Sequence, residues 1–352
     1  MQAKHTNWRY IGTVLLTLSL GLIGASIAPY LHLPVPALLG SALLIAALAF
    51  TTLPLALPLR LRNVGFAILG CSMGSGITPE MLKLIGQWPV SLLMLALTVV
   101  AMMAASTWVL THYFGQTRNT ALLASTPGAL SAVIALASNG YGDARAVVVL
   151  QTLRLLVIMS TLPLIIDWIG LHGSTDISVL AQAPMPWRIV LLLIMGALGF
   201  AWLLDQLKVP AAYILAGLLL SGLGHSMGWL QGGVPTPLLN LGFIIIGCLV
   251  GVRFRGIQWL ELKRYTFAAL VSVTLSTVIA AVAAAGVASW LHLPFGQVWV
   301  AYAPGGIEGM AALALALHYD PAYIAAHHLV RIIGINLCLP LLIKRLNPRL
   351  SA

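Results

Sequence analysis

Charge is what this sequence has least of. Only 7% of its 352 residues are Asp, Glu, Lys or Arg, where a soluble globular domain carries about 25%. With 60% hydrophobic residues there is too little polar surface to keep a folded chain in water. A soluble fold, intrinsic disorder and a long coiled coil are excluded together. Cysteine is scarce too, at three residues. Cys71, Cys248 and Cys338 each sit inside an apolar run, which argues against a disulfide scaffold and a cysteine-built metal site. A zinc-protease helix motif, a phosphate-binding glycine loop with its lysine and any copper-ligand set are missing, so no cofactor, metal or enzymatic activity is expected. His327 and His328 are adjacent, hence about 100° apart on a helix, and would not chelate one metal together. Acidic residues are outnumbered, eight to eighteen, for a net charge of +10. The basic residues lie in short connections between apolar runs and form no stripe, which excludes nucleic acid as a partner.

What is present is a series of apolar runs long enough to cross a bilayer. The first, 11–29, has the roughly 19 residues that span a ~30 Å hydrocarbon core. It has a counterpart later in the chain, so it is expected to be a retained span, not a signal peptide. The chain repeats itself at a fixed offset: Asn63, Gly65, Phe66, Gly70, Cys71 and Gly74 return as Asn240, Gly242, Phe243, Gly247, Cys248 and Gly251. At the same offset Pro127-Gly128 becomes Pro304-Gly305, Asp143 becomes Asp320, Arg154 becomes Arg331 and Pro163 becomes Pro340. Two homologous membrane repeats follow, 8–168 and 187–345, with a polar linker at 169–186.

Each repeat has six apolar segments, and the fifth is interrupted by Pro-Gly, which breaks a helix. If all six span, with the N-terminus inside, loop and terminal Lys and Arg divide nine inside to seven outside. If the fifth enters and leaves on one side, the second repeat is inverted and the division becomes fourteen to two, with only Lys83 and Arg188 outside. The positive-inside rule prefers the second arrangement. The expected fold is therefore an all-α polytopic membrane protein of two inverted repeats. Each repeat has five transmembrane helices plus one broken segment, about ten spans in all, with both termini and the loop at 253–264 cytoplasmic. Inverted repeats with matching broken segments point to a secondary transporter whose site lies near the bilayer midplane.

The candidate site residues follow from the breaks. Helices starting after Thr126-Pro127-Gly128 and after Pro304-Gly305-Gly306 present unpaired N–H groups inside the membrane, suited to an anionic or polarised group; the alternative is a kink or close packing of small residues. Arg154 and Arg331 fall about 12–14 Å into the last span of each repeat. They either bind an anionic substrate, or pair with Glu308, or cap broken-helix carbonyls. Gln151 and His328, one turn earlier on the same face, line the same cavity. Glu308, opposite Ser131 in the repeat, is the candidate for proton or cation coupling, or else a charge partner of Arg331. Asp143 and Asp320 are expected to be helix N-caps, and the Gly70/Gly74 and Gly247/Gly251 pairs to be helix-packing contacts.

The doubled pattern of Pro-Gly followed by small residues, then Asp, then Gln or His three before Arg, resembles the AbrB family of bacterial inner-membrane proteins over roughly 30–345. Ala129 and His328 depart from the family's glycine and glutamine. The resemblance implies a duplicated membrane unit in the inner membrane and, by fold analogy, similarity to sodium/proton antiporters and bile-acid symporters. It implies no established substrate. Members carry labels as ammonia monooxygenases or as regulators of a stress-response gene, and are unrelated to the soluble DNA-binding protein of the same name. A transporter of a small solute or ion is the expected function, a membrane regulator acting indirectly on gene expression the alternative. Membrane lipid and the solute are the expected partners, and a homodimer is left open.

Overall fold

The computed structural model describes residues 2–76, 86, 88–171 and 183–346. The Lys83 of the charge count and most of the linker, Asp176 included, lie outside the described residues, as do the side chains of Ser131 and Glu308. Among the described residues the chain is helical without a strand; Pro184 and Gly233 form an isolated bridge. Fourteen α-helices follow in order among these residues. The first seven are α1 (Gln2–Ile27), α2 (Pro36–Leu48), α3 (Leu59–Gly74), α4 (Trp88–His112), α5 (Arg118–Ser125), α6 (Leu130–Leu136) and α7 (Ala144–Ile169). The second seven are α8 (Trp187–Gln206), α9 (Ala212–Ser226), α10 (Thr236–Val252), α11 (Trp259–Leu291), α12 (Phe295–Tyr302), α13 (Ile307–Ala316) and α14 (Pro321–Leu346).

Six of these helices are long and apolar enough to cross a membrane: α1, α4, α7, α8, α11 and α14. Shorter apolar helices of 13, 15 and 17 residues (α2, α9 and α10) accompany them. The protein is a polytopic helical membrane protein. Several of its helices begin at a proline or a side-chain cap. Pro36 and Pro321 open α2 and α14 at positions whose N–H would be orphaned anyway. The Thr117 side chain accepts from the Thr120 amide at α5. Gln258 and Glu261 form a reciprocal capping box at α11. Asp143 accepts from the amides of Arg145 and Ala146 at α7 (2.9 and 3.1 Å), and Asp320 from the Ala322 amide at α14 (2.9 Å), so both aspartates are N-caps.

The backbone carries its own repeat. Left-handed residues His32 and Val35 (both φ +51°) precede α2, and Lys208 and Ala211 (φ +57° and +55°) precede α9. The left-handed conformation is costly for a β-branched residue such as Val35, and it recurs at the matching place in the second half.

Two compact units partition the chain, and each draws on both halves of the sequence. Unit 1 comprises 1–85, 159–257 and 308–322; unit 2 comprises 86–158, 258–307 and 323–352. In unit 1, α3 packs on α9 and α2 on α10, so helices of one half find their partners in the other. The crossings are backbone to backbone. A Cβ on Gly70 would lie 2.2 Å from the Ile214 carbonyl oxygen, and one on Gly247 would lie 2.5 Å from that of Leu38. These small-residue positions are packing contacts. Unit 1 also holds a cavity of about 610 Å³ bordered by Ser72, Ser75, Trp187, Thr236 and Tyr319. Tyr319 donates its hydroxyl to the Leu171 carbonyl; burial pushes this phenol up to about 12, so it remains a donor at neutral pH. In unit 2, α4 packs on α11 and on α5, and α11 on α12.

Candidate functional site

The two Pro-Gly breaks interrupt helices in unit 2. Past Ser125 the backbone of Thr126 turns extended (ψ 119°), and Gly128 takes φ +85° before α6 resumes at Leu130. Past Tyr302 the backbone of Ala303 turns extended (ψ 139°), and the Gly305 amide donates to the Ala303 carbonyl across Pro304. Apart from this bond to Ala303, each break leaves helix-end carbonyls without amide partners in an apolar surrounding, where an unsatisfied group is costly.

An arginine answers each set. Arg154 (5% exposed) donates through Nη1 to the carbonyls of Ala124 and Thr126 at 3.2 and 3.0 Å, and through Nη2 to Gln151 Oε1 at 2.8 Å. Gln151 in turn donates Nε2 to the carbonyls of Leu123 and Thr126 at 2.8 and 3.0 Å. Arg331 (4% exposed) donates through Nη1 to the Ala303 carbonyl at 2.6 Å and through Nη2 to that of Gly305 at 2.5 Å. Its Nη2 also lies 2.7 Å from His328 Nδ1. Because a guanidinium only donates, Nδ1 must accept. The His328 proton therefore sits on Nε2, which donates to the Val300 carbonyl at 3.1 Å. Leu123 and Val300 are equivalent positions of the repeat, so the imidazole does the work of the amide: one acceptor for the guanidinium, one donor for a helix-end carbonyl.

Of the three roles open to the arginines, the geometry shows the capping of broken-helix carbonyls, where a cation is also favoured by the helix dipole. The Nε–H groups of both remain buried with no hydrogen-bond partner among the described residues. The breaks are brought together. A Cβ on Gly128 would stand 3.3 Å from Arg331 Nη2 and 3.3 Å from Ile332 Cγ1, so the first break abuts the guanidinium that holds the second. Arg331 also borders an apolar cavity of about 400 Å³ between α4 and α14, with Leu95, Val99 and Met103 on its wall. Glu308 lies in the first turn of α13; its side chain is outside the described residues.

One cluster escapes the sequence. Ser91 on α4, Tyr302 at the end of α12, and Tyr323 and His327 on α14 are all buried and hydrogen-bonded together. A lone serine in an apolar helix gives no periodic signal, and its partners all lie in the other half of the chain. An exposed ion pair between Arg145 and Glu261 (2.6 Å) was equally invisible. His327 turns to this cluster while His328 faces the break, as expected for adjacent helical positions.

The family described as "Transition state regulatory protein AbrB" matches residues 38–347. A protein of Escherichia coli (strain K12) named "Putative regulator AbrB" is 27% identical over 352 aligned residues, covering 98% of this chain and 99% of that protein. A Bacillus subtilis (strain 168) protein named "Uncharacterized protein YhjN" is 24% identical over 306 residues, covering 80% of this chain and 77% of that one.

Proposed function

The chain belongs to the AbrB family, and from that premise we propose that it is a secondary transporter of a small solute or ion, with its substrate site at the two chain breaks. The observation that carries this is their meeting: Gly128, in the first half of the chain, abuts the guanidinium that holds Gly305 in the second. Broken helices at corresponding repeat positions are how transporters assemble a site near the midplane. Irregular backbone at that depth is tolerated where it is covered by protein or lines a cavity. The backbone groups of Thr126, Pro127 and Gly128 and of Pro304, Gly305 and Gly306 face the solute, and Arg154, Gln151, Arg331 and His328 position them.

The architecture belonging to this function is an inverted repeat of ten spans, in which the shorter α2, α3, α9 and α10 cross as well. The left-handed turns at matching offsets support it, as do the exchanged pairs α2–α10 and α3–α9. The distribution of basic residues supports cytoplasmic termini, and membership of the AbrB family supports the bacterial inner membrane. Glu308, two residues beyond Gly306, is the coupling residue, and no catalytic step is part of the cycle. A second function, indirect regulation of gene expression, takes its support from the name of the Escherichia coli relative and requires a protein partner.

Purified protein in proteoliposomes on a solid-supported membrane tests the transporter directly, with small inorganic and organic ions applied in turn. A solute-dependent current is expected, lost in Glu308→Gln while the variant still inserts and folds. Absence of current and of tracer uptake across the whole panel, with folded protein present, would remove the transporter and leave the regulator.

A further inference from the structure

The buried cluster around His327 takes no part in holding the breaks, and its hydrogen bonds can be assigned donor by donor. His327 Nδ1 lies 2.7 Å from the Tyr323 carbonyl. A carbonyl only accepts, so the neutral imidazole carries its proton on Nδ1 and Nε2 accepts. The donor to Nε2 is the Ser91 hydroxyl at 2.9 Å. Ser91 Oγ then accepts from the Tyr323 hydroxyl at 2.5 Å, and Tyr302 donates its hydroxyl to the Ser91 carbonyl at 2.5 Å. Every donor is used. One contact is left over: Ser91 Oγ and Tyr302 Oη stand 3.2 Å apart, and in the neutral network neither has a proton to spare for it.

That spare contact is where the Ser91 hydroxyl goes when His327 gains a proton. Nε2–H becomes a donor to Ser91 Oγ, and the serine hydroxyl rotates to donate to Tyr302 Oη. Tyr323 still donates to Ser91 Oγ, and Tyr302 still donates to the Ser91 carbonyl. Both protonation states are fully hydrogen-bonded, and they differ by one proton and one hydroxyl rotation. The charge gained would lie against aromatic faces: the Tyr323 ring centroid is 3.9 Å from that of His327, and Tyr302 stacks on it at 6.1 Å, within the range at which a cation and a ring attract. Trp88 closes the site edge-on from α4. Among the described residues, the titratable and charged groups around it are Tyr302 from α12 and Tyr323, His328 and Arg331 from α14 itself. Arg331 is directed at the Ala303 and Gly305 carbonyls and at His328. From α4 the facing groups are Ser91 and Trp88, neither of which titrates.

We propose that Ser91, Tyr302, Tyr323 and His327 form a proton-binding site, with His327 as the base and the Ser91 hydroxyl as a two-position switch. Only its consequence rests on the transporter function: there it makes the proton a coupling ion, bound at a second place besides Glu308.

The test is titration of the full-length protein in lipid nanodiscs, with its nine histidines labelled with nitrogen-15 and the His327 signal identified by its loss in His327→Gln. From about pH 8 to pH 3.5, a range covering the tails of histidine behaviour in proteins, His327 should begin as the Nδ1–H tautomer and gain a second proton reversibly. Tyr302→Phe removes an acceptor that only the protonated state uses, so proton affinity should fall about two- to tenfold, the worth of one hydrogen bond. Ser91→Thr, which keeps the hydroxyl, should leave it within about twofold. Should Tyr302→Phe not fold, Ser91→Ala serves instead, since it strands the Nε2–H donor and should lower affinity at least as far. A His327 that stays neutral throughout, starts as the other tautomer, or titrates unchanged in these variants overturns the proposal. Persistence of the titration in Glu308→Gln supports it whether or not any solute is moved.

Discussion

His328 and Gln151 meet one demand with different chemistry. Each must accept from a guanidinium and donate to a helix-end carbonyl, and a neutral imidazole held as its Nε2–H tautomer offers the same pair of functions as a primary amide. His328→Gln should therefore fold normally, with stability within about 1 kcal/mol of the parent. His328→Leu strands the Val300 carbonyl and should cost about 1–3 kcal/mol. Arg331→Met is more severe: the Gly305 carbonyl is stranded, while the Ala303 carbonyl loses one of two donors and keeps the Gly305 amide, at about 2–4 kcal/mol together. Thermal unfolding in detergent, followed by size-exclusion fluorescence, ranks the three; equal losses for His328→Gln and His328→Leu would contradict the assigned hydrogen bonds. The register of Gln or His three before Arg was legible in the sequence because side chains recur as letters. What the arginines hold was not, since a backbone carbonyl has no letter of its own.

Among elements, α3 and α9 stand out for the closeness of their crossing. No side chain fits at Gly70, where a Cβ would meet the Ile214 carbonyl at 2.2 Å, so Gly70→Leu must drive the helices apart. The expected loss exceeds the ~1–3 kcal/mol of ordinary overpacking, seen as aggregation or absent expression. Gly12, on α1 with nothing within 4 Å of its would-be Cβ, is the control; Gly12→Ala should be neutral or stabilising by up to about 1 kcal/mol. Monodispersity on gel filtration separates the two outcomes, and a well-behaved Gly70→Leu would refute the crossing. The small-residue spacing of Gly70/Gly74 announced a contact. It did not say with what, because Gly217 of α9 lies in the other half, outside any helical periodicity.

At the scale of the whole molecule, the membrane class was legible from composition and the family from the doubled Pro-Gly, Asp and Gln/His-Arg pattern. Which segments gather into which unit was not, since unit 1 and unit 2 each take three separate stretches of chain. The expected topology can be checked with a membrane-impermeant maleimide on intact cells. Leu260 and Trp229 are 76% and 78% exposed, on the loop-proximal start of α11 and the turn after α9. With Cys338, the one exposed native thiol, replaced by serine, Leu260→Cys should stay unlabelled and Trp229→Cys should react. The reverse pattern would remove the inverted arrangement and with it the cytoplasmic termini.

The pairing of α3 with α9 also sets a timetable for synthesis. When a ribosome has completed Gly74, the surface that will receive it does not yet exist, and roughly 140 further residues must be made, about 7–30 s at ordinary rates of elongation. Through that interval the glycine faces of α2 and α3 meet lipid or insertion machinery in place of their partners. A ribosome stalled before Ala212 therefore leaves a chain whose unit 1 cannot close, with one of its closest crossings still waiting for the helix that completes it.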